Sequence, residues 1–103
     1  MVPAIREKLP ALIALCAQRG VRSLSAFGSA VVGGFDPERS DVDLLVEFQP
    51  MSAMEHAEAY LSLLEDAEVL LGRTVDLLEP QAIRNPFVRR RVEAEREVLY
   101  DAP

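Results

Sequence analysis

Two aspartates spaced one residue apart, Asp41 and Asp43, lead into an apolar run in the segment DVDLLVEF. If this segment is a β-strand, its side chains alternate between two faces, so Asp41, Asp43 and Leu45 share one face. Two carboxylates on one face lie about 6 to 7 Å apart along a strand and repel each other unless a cation lies between them. Mg²⁺ relieves such repulsion, since it binds through one or two carboxylates plus phosphate oxygens. By itself the pair is compatible with two interpretations. Either Asp41 caps a turn and Asp43 lies at a solvated strand edge, or the two carboxylates serve metal-assisted chemistry on a phosphate.

Neighbouring residues favour the phosphate interpretation. Gly28 and Ser29 follow an apolar segment, where glycine permits close backbone approach and the Ser29 hydroxyl and exposed N–H groups can hold a phosphate. A third carboxylate, Asp76, lies in the segment TVDLLE, and it completes an acidic cluster if that segment pairs beside DVDLLVEF. Three carboxylates that bind metal ions, together with a loop that binds phosphate, are the groups needed for two-metal phosphoryl or nucleotidyl transfer.

Apolar periodicity and turn residues predict the elements that position these side chains. In chain order they are a helix over 4–18, a strand over 21–27, a short helical turn after Gly28, a loop over 34–40 marked by Gly34 and Pro37, a strand over 41–48, a helix over 53–71, a strand over 74–79, a helix from Pro86 to about Glu97, and a terminal extended VLY. Alternating helices and strands predict an α/β fold in which helices pack against a small sheet.

The predicted helix over 53–71 has clear ends. Ser52 is a favourable N-cap and Gly72 a favourable C-terminal stop. We expect its buried face to consist of Met54, Ala57, Leu61, Leu64 and Leu71.

Composition limits the class of protein. The 103 residues predict one domain over 1–103, and no apolar run approaches the roughly 18 residues of a membrane span. The net charge of −6 disfavours general binding to duplex DNA, which needs clustered cations. The single Cys16 excludes an internal disulfide, is expected in the core of its helix, and fits a reducing cytoplasm.

Basic residues cluster near the C-terminus, at Arg84, Arg89, Arg90, Arg91 and Arg96. This cluster is either a solvated helix face or a patch for nucleotide phosphates or an acidic partner. The only histidine, His56, lies between acidic residues of a predicted helix and is expected on the surface.

The stretch FGSAVVGGFDPERSDVDLLVEF, followed by TVDLLEP, resembles the signature of polymerase-β-type nucleotidyltransferases. In that signature Gly-Ser precedes Asp-x-Asp and an apolar strand. The short length and the ending AIRNPFVRRRVEAEREVLYDA resemble the minimal nucleotidyltransferases, the antitoxins of toxin–antitoxin pairs with a HEPN partner. The resemblance covers about residues 20 to 101 and implies a small mixed β-sheet flanked by helices.

The resemblance also implies roles. Asp41 and Asp43 would bind two Mg²⁺ ions, Asp76 would bind the ion that activates the attacking hydroxyl, and Gly28 and Ser29 would hold the triphosphate of ATP. Such proteins transfer AMP from ATP to a tyrosine hydroxyl of the cognate HEPN toxin and thereby silence it. The chemistry is in-line attack on the α-phosphorus, with pyrophosphate leaving.

One position departs from the family pattern. Val32 stands where a basic residue is expected near the phosphates, and Arg39 or a C-terminal arginine is the candidate replacement. Phe35, Tyr60 and Phe87 are candidate partner contacts or core residues.

The sequence leaves alternatives to transfer of AMP onto a toxin. In one, the chain is a binding module that neutralises its partner by docking, and the nucleotidyltransferase fold is only a scaffold. Transfer to a small molecule or an RNA end is disfavoured, because the chain has no second domain to build the substrate pocket.

Overall fold

Helices and strands alternate along most of the chain. The computed structural model describes residues 1–36 and 38–103, so Pro37, which marks the predicted loop, lies outside the described residues. The elements are α1 (Pro3–Arg6), α2 (Leu9–Gln18), β1 (Val21–Phe27), α3 (Ser29–Val32), β2 (Val42–Phe48), α4 (Ala53–Leu71), β3 (Val75–Leu78), a 3₁₀ turn (Pro80–Ala82), α5 (Pro86–Glu95) and β4 (Glu97–Asp101).

The strands form one mixed sheet in the order β3-β2-β1-β4 within the described residues. Strand β1 pairs antiparallel with both β2 and β4, whereas β2 pairs parallel with β3. A parallel pair needs a long crossover, and α4 supplies it. The predicted α/β class with a small mixed sheet is therefore confirmed, and the terminal VLY lies in the edge strand β4.

The two faces of the sheet carry different apolar clusters. Val42, Leu44 and Val46 of β2 lie in the main core, which also contains buried residues of α2 and α4. Leu45 points to the opposite face, where a smaller cluster joins it to Phe27, Ile83 and Val92. Because Val92 belongs to α5, this helix covers the face toward which Asp43 also points.

The predicted helix over 4–18 is wrong as a continuous element. The structure has two helices, and α2 begins at Leu9 with Pro10 in its first turn. Proline lacks an N–H group and its ring clashes with the preceding turn, so it is tolerated in a first turn but not in a helix interior.

Helix α4 has the predicted ends. The Ser52 hydroxyl accepts a hydrogen bond from the Glu55 N–H at 3.2 Å, and the Glu55 carboxylate accepts one from the Ser52 N–H at 3.1 Å. This reciprocal capping box satisfies donors that the helix itself leaves unpaired. At the other end, Gly72 adopts the left-handed conformation, with a φ of 65°.

The predicted buried face of α4 is largely wrong. Met54 and Leu61 are 74% and 57% exposed, whereas Leu63, Ala67 and Leu71 are buried. Residues 63, 67 and 71 are spaced by four and therefore form one row along the helix, and this row packs against the sheet. The other side of α4 is also apolar, so periodicity did not distinguish the two sides.

The corrected face is testable with two leucines of the same helix. We expect Leu63→Ala to lower the free energy of unfolding by about 2 to 5 kcal/mol, because it leaves a cavity in the core. The matched variant Leu61→Ala is expected to change it by no more than about 0.5 kcal/mol, because most of that side chain is in water. Urea unfolding of both variants measures the difference, and equal losses would contradict this assignment of the buried face.

Cys16 is fully buried, as predicted, and burial raises the pKa of its thiol to about 12. The thiolate is the reactive form, so this side chain is inert at neutral pH. We expect a thiol-specific reagent at pH 8 to label the folded chain far more slowly than the urea-unfolded chain. Rapid labelling of the folded chain would contradict the buried placement.

No helix in residues 1–36 and 38–103 combines the length and the apolar character needed to cross a bilayer.

Candidate active site

Asp43 and Asp76 lie side by side on neighbouring strands. Strands β2 and β3 are parallel, and Asp43 is the register partner of Asp76. Register partners point to the same face of a sheet. Their neighbours Val42 and Leu44 point into the main core with Val75 and Leu77, so the two carboxylates lie together on the face covered by α5. Asp41 precedes β2 and is exposed.

This grouping concentrates negative charge. Burial raises the pKa of Asp43, and the carboxylates of Asp76 and Asp41 raise it further. Glu95 adds to this effect, whereas the guanidinium of Arg91 opposes it. Each of these groups is therefore close enough to Asp43 to act on its charge. A bound cation would relieve the repulsion among the carboxylates.

Gly28 allows the backbone at the end of β1 to pass against Asp43. A Cβ atom placed on Gly28 would stand 2.3 Å from the Oδ2 atom of Asp43. The backbone there has a φ of 71° and a ψ of −152°, a region essentially restricted to glycine. The position therefore requires glycine both for its conformation and for its contact. Ser29 follows directly, begins α3 and is half-buried.

Glu95 and Arg91 of α5 complete the surroundings of Gly28. The Gly28 N–H donates a hydrogen bond to Oε1 of Glu95 at 3.1 Å, and Nε of Arg91 lies 3.3 Å from Oε2 of the same carboxylate. Arg91 belongs to the predicted basic cluster, whereas Glu95 was not among the predicted site residues. The signal available was their spacing of four residues, which predicts a pair on one helix face but not which strand they meet.

Several predicted candidates lie elsewhere. Phe35 packs against the main core, and Tyr60 donates a hydrogen bond to the Leu77 carbonyl oxygen. Phe87 on α5 is 74% exposed and stays a candidate contact for a partner. His56 is half-buried rather than fully on the surface, and it pairs with Glu79 beyond the end of β3. A cavity of about 380 Å³ that includes His56 and Glu79 lies at that end of the sheet, away from the aspartates.

The aspartates suit a hard metal ion bound with its substrate. Among the residues that the structure describes, no group of three or more His, Cys, Asp or Glu side chains is arranged to hold a metal ion by itself. Mg²⁺ does not need such a group, since it prefers one or two carboxylates together with waters and substrate phosphates. The in-register pair Asp43 and Asp76, with Asp41 nearby, offers only oxygen donors. Such donors fit Mg²⁺.

The small mixed sheet thus carries acidic residues on two neighbouring strands, with Gly28 against one of them. The family model of the nucleotidyltransferase domain matches residues 11–99. The chain therefore belongs to the nucleotidyltransferase domain family, and the predicted enzyme class is confirmed.

Similarities to individual proteins support this assignment. Protein adenylyltransferase MntA of Thermococcus cleftensis is 36% identical over 81 residues, which span 79% of this chain and 75% of the relative. A solved structure assigned as a minimal nucleotidyltransferase is 35% identical, with a TM-score of 0.65 over 90% of each chain. A chain from the solved complex of a tri-AMPylated Shewanella oneidensis HEPN toxin with MNT antitoxin has a TM-score of 0.64 over 94% of this chain and 72% of its own. At 16% identity, this last match concerns the fold alone.

The close approach of Gly28 to Asp43 predicts energetic coupling between the two positions. We expect Gly28→Ala to destabilise the chain more than Gly33→Ala. Gly33 has a similar glycine-only conformation, with a φ of 108° and a ψ of 172°, but a Cβ atom there would meet nothing within 4 Å. Gly33→Ala therefore reports the backbone strain alone, about 1 to 3 kcal/mol.

Asp43→Ala removes the oxygen that the new methyl group would meet. In that background the cost of Gly28→Ala should fall by at least about 1 kcal/mol, as measured by a double-mutant cycle of urea unfolding. Strictly additive effects would contradict the contact.

Proposed function

We propose that this protein is an antitoxin that transfers AMP from ATP to a tyrosine hydroxyl of a HEPN toxin. The observation that carries the proposal is the pairing of Asp43 with Asp76 in register, on the face where Gly28 approaches. The similarity to protein adenylyltransferase MntA supports a protein as the acceptor. The fold shared with the chain from the MNT antitoxin complex supports a HEPN toxin as that acceptor.

The proposed reaction is one in-line displacement. The tyrosine oxygen forms a bond to the α-phosphorus of ATP, and the bond from that phosphorus to the bridging oxygen breaks. Pyrophosphate leaves, AMP stays on the toxin, and the hydroxyl proton passes to solvent. No histidine is needed, which agrees with the placement of His56 at the other end of the sheet.

The three aspartates are proposed to hold two Mg²⁺ ions. Asp41 and Asp43 would bind both, and Asp76 would bind one from the adjacent strand. When bound, Mg²⁺ neutralises charge on the phosphates and favours ionisation of the attacking hydroxyl. Burial raises the pKa of Asp43, the carboxylates of Asp76 and Asp41 raise it further, and such a cation would balance their charge.

Gly28 and Ser29 are proposed to hold the triphosphate. Gly28 has no side chain to keep a phosphate away from its N–H group, and Ser29 adds a half-buried hydroxyl beside it. Both residues lie where β1 ends, next to Asp43, so a bound phosphate would lie between the backbone and the carboxylates.

The acceptor tyrosine is proposed to arrive on a partner protein, which the similarity to protein adenylyltransferase MntA supports. Phe87 is an exposed aromatic residue on α5, the helix that also carries Arg91 and Glu95. We therefore place toxin docking along this helix.

The test measures transfer of label from α-labelled ATP in Mg²⁺ to a purified HEPN toxin. We expect the wild type and the control Asp101→Asn, which changes an exposed carboxylate of β4, to label the toxin equally. Asp43→Asn should lose at least about 100-fold in rate, because it removes a proposed Mg²⁺ ligand and so weakens binding of the cation whose charge stabilises the transferring phosphoryl group. Asp43→Asn also relieves repulsion, so the thermal midpoint of unfolding should not fall.

Other outcomes separate the alternatives. Equal labelling by Asp43→Asn would contradict the assigned site. Stable complex formation with no label from any variant would instead support a module that neutralises the toxin by docking alone.

A further inference from the structure

The Glu95 carboxylate occupies the N–H group that the proposed function assigns to a phosphate. Its Oε1 atom accepts the Gly28 N–H at 3.1 Å, and the Glu95 side chain is only 20% exposed. A backbone N–H offers one proton along one direction, so it does not serve a carboxylate and a phosphate oxygen at full strength together. A nucleotide phosphate at Gly28 therefore requires that Glu95 give up this bond.

The second oxygen of the same carboxylate engages Arg91. Nε of Arg91 lies 3.3 Å from Oε2 of Glu95, while 65% of the Arg91 side chain is exposed. The Arg91 charge also lowers the pKa of Asp43, so the guanidinium acts on the acidic site that a phosphate would approach. A guanidinium binds carboxylates and phosphates through the same N–H groups, so Glu95 holds a cation that would otherwise face an arriving phosphate.

Electrostatics oppose the joint presence of Glu95 and a triphosphate. Glu95 is a fourth acid beside Asp41, Asp43 and Asp76, and it raises the pKa of Asp43. Asp43 and Asp76 are held by their strands, whereas Glu95 belongs to a helix and reaches the site through a hydrogen bond from the Gly28 backbone. Glu95 is the last residue of α5, so rotation about its own side-chain torsions releases both bonds while the helix stays in place.

We propose that Glu95 is an internal competitor for the nucleotide phosphates: it occupies Gly28 N–H and Arg91 in the free protein, and its displacement by ATP frees Arg91 to bind the triphosphate. This inference rests on the proposed function, because it takes Gly28 as a phosphate-binding position. It assigns Arg91 as a phosphate-binding residue and Glu95 as the residue that sets the affinity.

The test is equilibrium binding of a non-hydrolysable ATP analogue to the full chain in Mg²⁺, measured by calorimetry. We expect Glu95→Gln to bind the analogue on the order of tenfold more tightly, because a neutral amide competes less well than a carboxylate for an N–H group and a guanidinium. Arg91→Ala should bind more weakly. Arg91→Ala should also lose a larger factor in the Glu95→Gln background, where Arg91 is free from the start.

Controls come from the same helix. Glu93→Gln and Arg90→Ala change exposed charges of α5, and the Arg90 guanidinium lies over the Phe87 ring, 5.6 Å from its centre. Both variants should bind the analogue as the wild type does. A thermal melt of each variant reports any loss of fold separately from binding.

Unchanged or weaker binding by Glu95→Gln, with clear binding by the wild type, would overturn the inference and leave the proposed function standing. It would mean that Glu95 only ties α5 to β1, or that it assists the metal site. Failure of both the wild type and Glu95→Gln to bind the analogue would contradict the proposed function as well. Binding by Glu95→Gln alone would support the inference in its strongest form.

Discussion

The parallel pairing of β2 with β3 is the constraint on which the rest of the site depends. It places Asp43 and Asp76 in register, so two like charges share one face of the sheet, and one of them is half-buried. Burial and then the neighbouring carboxylates raise the pKa of Asp43, which shows that its charged form is disfavoured here. The hydrophobic residues that alternate with the aspartates offset this cost, because Val42, Leu44, Val75 and Leu77 all lie in the main core. A shift of one residue in the register would move the aspartates into that core. Because burying them there is unfavourable, packing of the core fixes the register and with it the geometry of the site.

Gly28 and α5 add hydrogen-bonding and charged groups to the face that carries the aspartates. Gly28 brings a backbone N–H group next to the carboxylates, and only a residue without a Cβ atom fits there. Helix α5 is held over the same face by the small cluster of Phe27, Leu45, Ile83 and Val92. Packing of these side chains carries Arg91 and Glu95 to the end of β1, although neither residue contributes to the cluster. The aspartates and the residues that modulate them are therefore positioned by two separate hydrophobic clusters on opposite faces of the sheet.

The charge balance of the site explains why a small acidic protein is compatible with nucleotide chemistry. The net charge of −6 repels a free triphosphate in general, so local cations must supply the attraction. The proposed Mg²⁺ ions at the aspartates would be one such source, and Arg91, whose charge lowers the pKa of Asp43, would be a second. Placing Glu95 between Arg91 and Gly28 keeps both groups satisfied in the free protein.

Local sequence determined most of the elements. The bounds of β1 and α4 follow from their apolar runs and from Ser52 and Gly72, because capping and turn chemistry depend on residues within a few positions. Sequence patterns also identified Asp41, Asp43, Asp76, Gly28 and Ser29 as candidates, since alternation in a strand and glycine at a turn are local properties. Only the tertiary structure decided the strand order, the register that joins Asp43 to Asp76, and the side of α4 that is buried. These depend on contacts between distant segments, as does the meeting of Glu95 with Gly28, which are separated by 67 residues.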